Sequence, residues 1–329
     1  MAEPDIYRVA YEFKNSLLAS EKQASAELIR HYGEVWQRLD NRIQGLANEY
    51  YSQPSVRPGW IYEMERLESL RTQVVAEYGR FAGFAETQIT ADQAEMIRRA
   101  TQDSRELVKL ANGGVAGSFN VVPHEATWQM IGALQDGSPL RDLLWQIPGQ
   151  VGQAAADELV SGLALGHHST KIARAVREKA GVGLSRAMTI ARSEKMRAYR
   201  ETTRQSYQAN SNVVAGWVWF AAVNSVRTCA MCFAMHGTKH TLDEKLDDHP
   251  NGRCTMSPWV PGRTPELTPG ATVFDSLAPD EQQMVLGGSA YEAWQDGRVT
   301  LQDFIGQRED AKWGSMRYAR SLKTILAEK

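Results

Sequence analysis

Arg227-Thr-Cys229-Ala-Met-Cys232 and, further on, Asp248-His249-Pro-Asn-Gly-Arg-Cys254 hold all three cysteines of the 329-residue chain. Their spacing, Cys-x2-Cys-x16-His-x4-Cys, predicts a tetrahedral ion held by Cys229, Cys232, His249 and Cys254. A two-residue gap lets both sulfurs reach one ion from a tight turn, and His249 with Cys254 supplies the returning pair. Asp248 to Gly252 is turn chemistry, the local geometry a second ligand pair needs. His236 is an alternative fourth ligand, four residues after Cys232 and on its face if that segment is helical. Two further readings stay open: thiols buried simply as small hydrophobes, and a redox Cys-x2-Cys, which needs a strand-to-helix setting. Three thiolates favour a closed structural zinc over a strong Lewis acid.

The flanks of this stretch predict a small lobe. Gly216-Trp-Val-Trp-Phe-Ala-Ala-Val223 is aromatic and β-branched and reads as a strand, with 254–260 as its returning partner. Trp217, Trp219 and Trp259 read as core. So small a lobe is short of buried surface, and a metal can make up the deficit.

Everything around it reads as mainly α. Leu28, Tyr32, Val35, Leu39, Ile43, Leu46 and Tyr50 recur at nearly heptad spacing, which predicts one helix over 5–51. Ser52 to Gly59 breaks it with two prolines and a glycine. A second amphipathic segment carries Trp60, Met64, Leu67, Val74, Tyr78 and Phe81, so the pair is expected as an antiparallel hairpin, residues 1–86. Thr90-x-x-Gln93 is a capping-box signature that predicts a third helix, ended by Asn112-Gly-Gly114. Shorter helices are expected at 124–135, 139–146, 149–165 and 169–180, making 87–183 a helical domain. His167-His168 reads as an exposed connector. A basic helix then runs over 184–210 into the strand, and 184–262 forms the metal-stapled module. Beyond it, 263–329 reads as a helical extension: short helices at 275–287 and 289–297, a third at 301–305 capped by Thr300-x-x-Asp303, and a basic amphipathic helix over 308–329.

Hydrophobic residues at 43% and charged residues at 23% are those of a globular protein with a sizeable core. An odd cysteine count at metal spacing argues for a reducing compartment rather than a disulfide framework. Neither a secretory leader nor a membrane span is expected. The net charge of −2 is unevenly spread. Residues 169–210 carry ten Lys or Arg against three Glu, and 308–329 carry six basic against three acidic residues. Arg186, Arg192, Lys195, Arg197, Arg200 and Arg204 are therefore candidates to contact DNA or an acidic partner, although most charge runs are simply solvated faces.

In order, Ile190-Ala-Arg-Ser-Glu194, the Trp217/Trp219 strand, Arg227-Thr-Cys-Ala-Met-Cys232, His236-Gly237 and His249-Pro-Asn-Gly-Arg-Cys254 resemble the phage Mu F-like head morphogenesis family over residues 184–262. Family members show an Ala-Arg-Thr-Glu helix, a Trp strand, an Arg-Thr-Cys-x-x-Cys turn and a His-Pro-Asn-Cys-Arg-Cys closure. Gly252 stands where the family often has the first Cys of that closure. Asn224-Ser-Val-Arg-Thr228 replaces an acidic residue on the approach to Cys229. The run from Leu286 to Phe304 resembles a segment that often follows this domain in phage minor head proteins.

The resemblance implies a non-enzymatic minor capsid protein of the virion, made in the host cytoplasm and placed inside the head at the portal vertex. It implies a role in head assembly and in DNA packaging or ejection. The portal protein is the expected partner, with phage DNA and the scaffold or major capsid protein as further ones. Two other functions are weighed beside it. One is a metal-dependent nuclease using His236, His240, Asp247 or Asp248, which thiolate ligands disfavour. The other is a DNA-binding adaptor built on the arginines of 186–204. No phosphate-binding loop, Gly-x-Ser-x-Gly elbow or His-Glu-x-x-His helix occurs in the sequence.

Overall fold

A computed structural model describes residues 6–52, 64–114, 119–123, 125–126, 139–165, 167–310 and 313–328. The expected break at 53–59 and most of the expected helix at 124–135 lie outside these residues, as does the Trp60 end of the second apolar face. The architecture is mainly α with two small sheets. Four long helices come first: α1 (Ile6–Ser52), α2 (Met64–Ala111), α3 (Pro139–Ala164) and α4 (Ser169–Ala209). The chain divides into two compact units, one made of Met1–Leu18, Gln93–Gly137 and Lys195–Lys329, the other of Ala19–Asp92 and Ser138–Glu194.

The second unit is all helix, and an apolar stripe holds it. Leu28, Tyr32, Val35, Leu39, Ile43 and Leu46 of α1 are buried, as the periodicity predicts, and so are Val74, Tyr78 and Phe81 of α2. Tyr32 packs edge-on against Tyr78 and Phe81, and the two tyrosine hydroxyls hydrogen-bond at 3.0 Å. The expected 139–146 and 149–165 helices are a single α3 that continues through Pro148. Leu143, Leu144, Ile147 and Val151 are buried on both sides of that proline, so packing offsets its cost of roughly 3 kcal/mol. The expected stop near 180 is likewise absent, because α4 runs on through Gly181 and Gly183. A Cβ on Gly183 would lie 3.0 Å from Ile147 and 3.1 Å from Val151. That glycine permits close helix approach and does not end the helix.

The helix α2 continues through 90–93 without the predicted break, and Gln93 is fully buried instead of capping a new helix. Ile89, Met96 and Ile97 are also buried, so the apolar seam carries the helix past a local capping signal. The predicted end is found: Gly113 and Gly114 take φ of +73° and +77°, the left-handed region where glycine terminates helices. After α4 comes β1 (Gly216–Phe220), then α5 (Ala230–Met235), β2 (Lys239–His240) and β3 (Thr255–Trp259). The sheet order is β2-β1-β3, antiparallel throughout, with Trp217 opposite Pro258 and Phe220 opposite Thr255. On one side of this sheet Trp217 and Trp219 join Tyr207, Met231 and Phe233 in the core. Phe220 joins a second cluster with Ile6, Tyr7 and Ala10 of α1 and Leu107 and Ala111 of α2.

The C-terminal region opens with an unpredicted α6 (Gly270–Asp275). The helices expected at 275–287 and 289–297 are α7 (Pro279–Leu286) and α8 (Gly288–Gln295), and the expected third is a capped 3-10 turn, Leu301–Phe304. The helix expected over 308–329 is mostly a hairpin instead. β4 (Ile305–Asp310) pairs with β5 (Gly314–Ala319), and only α9 (Leu322–Glu328) is helical. Met316 is the one buried residue of β5, so the hairpin lacks the period-two burial that would have marked it as strand.

Candidate metal centre

Local structure delivers the cysteines as a pair. The chain leaves β1, and the Thr228 hydroxyl donates to the Ala222 carbonyl at 2.6 Å. Cys229, in extended conformation, then caps α5 and Cys232 sits in its first turn. The returning chain turns at His249 to Gly252, where Asn251 takes φ of +70° and the Gly252 N–H donates to the His249 carbonyl. Cys254 enters directly before β3.

The donor atoms converge. Cys229 Sγ lies 3.5 Å from His249 Nε2, Cys232 Sγ lies 3.8 Å from the same nitrogen, and Cys254 Sγ lies 3.3 Å from Cys232 Sγ. Zn–S bonds of about 2.3 Å and Zn–N bonds of about 2.0–2.1 Å put tetrahedral ligand atoms roughly 3.4–3.8 Å apart. The Cys229/Cys232/His249 spacings match such a site and Cys254 adjoins it through Cys232, so the cluster could hold a metal ion. The donors form two overlapping trios, Cys229/Cys232/His249 and Cys232/Asp248/Cys254, joined through Cys232. His249 Nδ1–H donates to the Pro250 carbonyl at 2.9 Å, which fixes the ring with Nε2 toward the thiols. His236, the alternative ligand, is engaged elsewhere, its Nδ1 accepting the Ala221 N–H at 3.0 Å.

Asp248 organises this loop. Its Oδ2 accepts from Arg200 at 2.7 Å and from the Cys254 N–H at 3.2 Å, while Oδ1 accepts the His249 N–H at 2.9 Å. Arg200 also donates to the Cys254 carbonyl at 2.8 Å, so one guanidinium grips both ends of the ligand loop. A Cβ at Gly252 would collide with the Asp248 carboxylate. The space that a side chain at 252 would take is filled here by Asp248. Asp247 pairs with Arg317 of β5, whose N–H also donates to the Asp247 carbonyl at 2.6 Å. His240 stacks on Trp217 at 4.2 Å and is bound by Glu244 at 2.8 Å.

Electrostatics follow from these contacts. A hydrogen bond with Cys232, and then His249, draws the Cys229 thiol down to about 5 despite burial. Burial works against the His249 imidazolium, yet Cys229 and Asp248 raise it to about 9. Without an ion the two therefore form a thiolate–imidazolium pair at neutral pH. Burial pushes the Asp248 carboxyl up, but Arg200, His249 and the Cys254 contacts hold it below the usual range. Burial, with Lys14 nearby, lowers His236 to about 4.

The six basic candidates of α4 lie elsewhere in the packing than a solvent-facing stripe would require. Each is buried or half-buried. Arg186 bonds Gln150 at 2.8 Å, Arg192 pairs with Glu21, Arg200 with Asp248, and Arg204 with Glu201 at 2.6 Å. Lys195 is buried and Arg197 half-buried. Two of the six thus meet acids from outside the run, Glu21 and Asp248, which answers the one-signed excess only in part. Sequence reasoning missed Lys14, which is buried with its ammonium 2.7 Å from the Phe220 carbonyl. The available signal was its register: Tyr7, Ala10, Lys14 and Leu17 step by three, four and three, which sets a lysine on an apolar face.

Residues 153–257 match the family model described as Phage Mu protein F like protein. That match supports a phage Mu F-like head morphogenesis protein, on a segment covering less than half of the chain. No curated protein and no solved structure matches. The matched segment begins upstream of residue 184, where the sequence resemblance becomes legible, and takes in the end of α3.

Proposed function

We propose that this chain is a minor head protein that acts in the virion without enzymatic chemistry. In this reading it sits near the portal vertex and assists head assembly and the packaging or ejection of DNA. The Mu F-like segment carries the reading. The zinc would be structural, held by Cys229, Cys232, His249 and Cys254, and would supply only a fixed tetrahedral cross-link between β1–α5 and the returning loop. The polar groups that a nuclease would need support the same view. His236 is engaged by the Ala221 N–H, His240 by Trp217 and Glu244, Asp247 by Arg317 and Asp248 by Arg200. Among the described residues no helix is long and apolar enough to cross a membrane.

Co-purification with the portal protein, with zinc quantified in the same sample, tests this reading. The expected result is a stable complex with about one zinc per chain. Loss of portal binding together with metal-dependent cutting of DNA would overturn it.

A further inference from the structure

We infer that Lys14 of α1 is the buried counter-cation of the metal centre, tying the N-terminal turns of the chain to the loaded cluster. The inference rests on the zinc reading above. Lys14 is 2% exposed, an unusual place for an ammonium group. Its Nζ donates to the Phe220 carbonyl at 2.7 Å and lies 5.1 Å from the Phe220 ring centroid. Phe220 pairs in register with Thr255, the residue after Cys254, and the Thr255 hydroxyl donates to the same Phe220 carbonyl at 3.5 Å. The ammonium thus stands one strand-pair away from a ligand. Burial lowers Lys14 to about 8, while the Cys254 and Cys232 thiols and the Asp248 carboxylate act in the opposite direction.

Charge counting assigns the role. A zinc ion with three thiolates and a neutral imidazole carries one net negative charge. Arg200 and Asp248 neutralise one another at 2.7 Å. Arg227 and Arg253, the cations next to the ligands in sequence, meet at the solvent-exposed side and leave the buried side of the cluster to another cation. Lys14 supplies one positive charge from a third segment of the chain. Around it, Ile6, Tyr7 and Ala10 pack with Phe220, Val260, Leu107 and Ala111, so the cation is delivered by an apolar helix face. A buried ammonium is costly without a partner, and the loaded cluster is that partner.

The test compares full-length wild type, Lys14→Met and Lys14→Arg, each purified with zinc. Zinc content is measured, then stripped by titration with a zinc chelator, and the stability of the metal-free forms is read in urea. The two effects of Lys14→Met should have opposite signs. It should release zinc at about tenfold lower chelator concentration, yet be at least as stable as wild type once metal-free, because a desolvated charge is gone. A side chain that only packs would weaken both states. Lys14→Arg should keep most of the zinc retention. In wild type, chelation should speed amide exchange over residues 6–18. If wild type binds about one zinc but Lys14→Met releases it as wild type does, the role of Lys14 is refuted and the zinc reading survives. If wild type takes up no zinc, the zinc reading fails first. Should Lys14→Met not fold, unchanged exchange over 6–18 in chelated wild type would overturn the inference by itself.

Discussion

The helical second unit and the β1–β3 lobe solve the same problem by different means. In the first, Leu28 to Leu46 of α1 and Val74 to Phe81 of α2 bury an apolar side chain at nearly every turn. Stability is spread over many contacts of similar size, and removing one leaves the rest in place. In the lobe, five-residue strands carry a sheet beside a cluster of three cysteines, a histidine, a buried aspartate and an arginine. Few groups hold many segments there. Distributed packing tolerates single losses, and convergent polar chemistry does not.

Breaking the lobe should therefore have the largest effect. Cys232→Ser or Cys254→Ser should abolish stoichiometric zinc and unfold 216–260, because structural zinc is worth roughly 10–16 kcal/mol in small metal-folded modules. Tryptophan fluorescence and limited proteolysis report it through Trp217 and Trp219, both fully buried. Wild-type behaviour in both variants would end the staple idea. Next comes Arg200→Ala, which strands the buried Asp248 carboxylate, a loss of about 3–5 kcal/mol for a buried pair. Urea midpoints measure it, and a double variant with Asp248→Asn should recover part of the loss.

The helical unit supplies the contrast. Leu39→Ala should cost about 2–5 kcal/mol and leave zinc binding untouched. If metal content fell with it, the two regions would not be independent in the way argued. Smallest is Arg38→Ala, which removes an exposed pair with Glu77 and should cost about 0–1 kcal/mol, a shift near the resolution of thermal unfolding.

A pH titration of the metal-free protein sharpens the comparison further. The Cys229 thiol is lowered in the folded state, so its contribution is lost as pH falls through about 5. His249 is raised, so its contribution is lost as pH rises through about 9. The unfolded imidazole and thiol titrate near 6.5 and 9, so the two contributions offset one another between those values. Lobe stability should rise between about pH 5 and 6.5 and stay level above, whereas Cys229→Ser should flatten that rise. A profile in Cys229→Ser identical to wild type would remove the thiolate–imidazolium pair from the account.

Much of this was readable from residue order alone, for a physical reason. Periodic apolar residues and ligand spacings are local, so the seam of α1, the two strands and the Cys/His cluster could be written down in advance. What could not be read was set by distant packing. Gln93 looks like a cap and is buried core; Pro148 and the glycines at 181 and 183 look like breaks and sit inside helices. The arginines of α4 look like a free basic face because Glu21 and Asp248, distant in sequence, cannot be paired with them from spacing, whereas Glu201 three residues before Arg204 could be. The strand character of 305–319 was hidden because its strands do not alternate: β4 buries only Gly306 and β5 only Met316.

The contact between Gly252 and Asp248 has a consequence for which substitutions this loop can accept. Position 252 can hold a side chain only if the carboxylate at 248 is absent or moved. A side chain at 252 and the Arg200–Asp248 pair then exclude one another in this geometry, and they should exchange together. An alignment of Mu F-like chains in which residue 252 varies freely while 200 and 248 stay fixed would mean that the backbone, and not the side chain, yields.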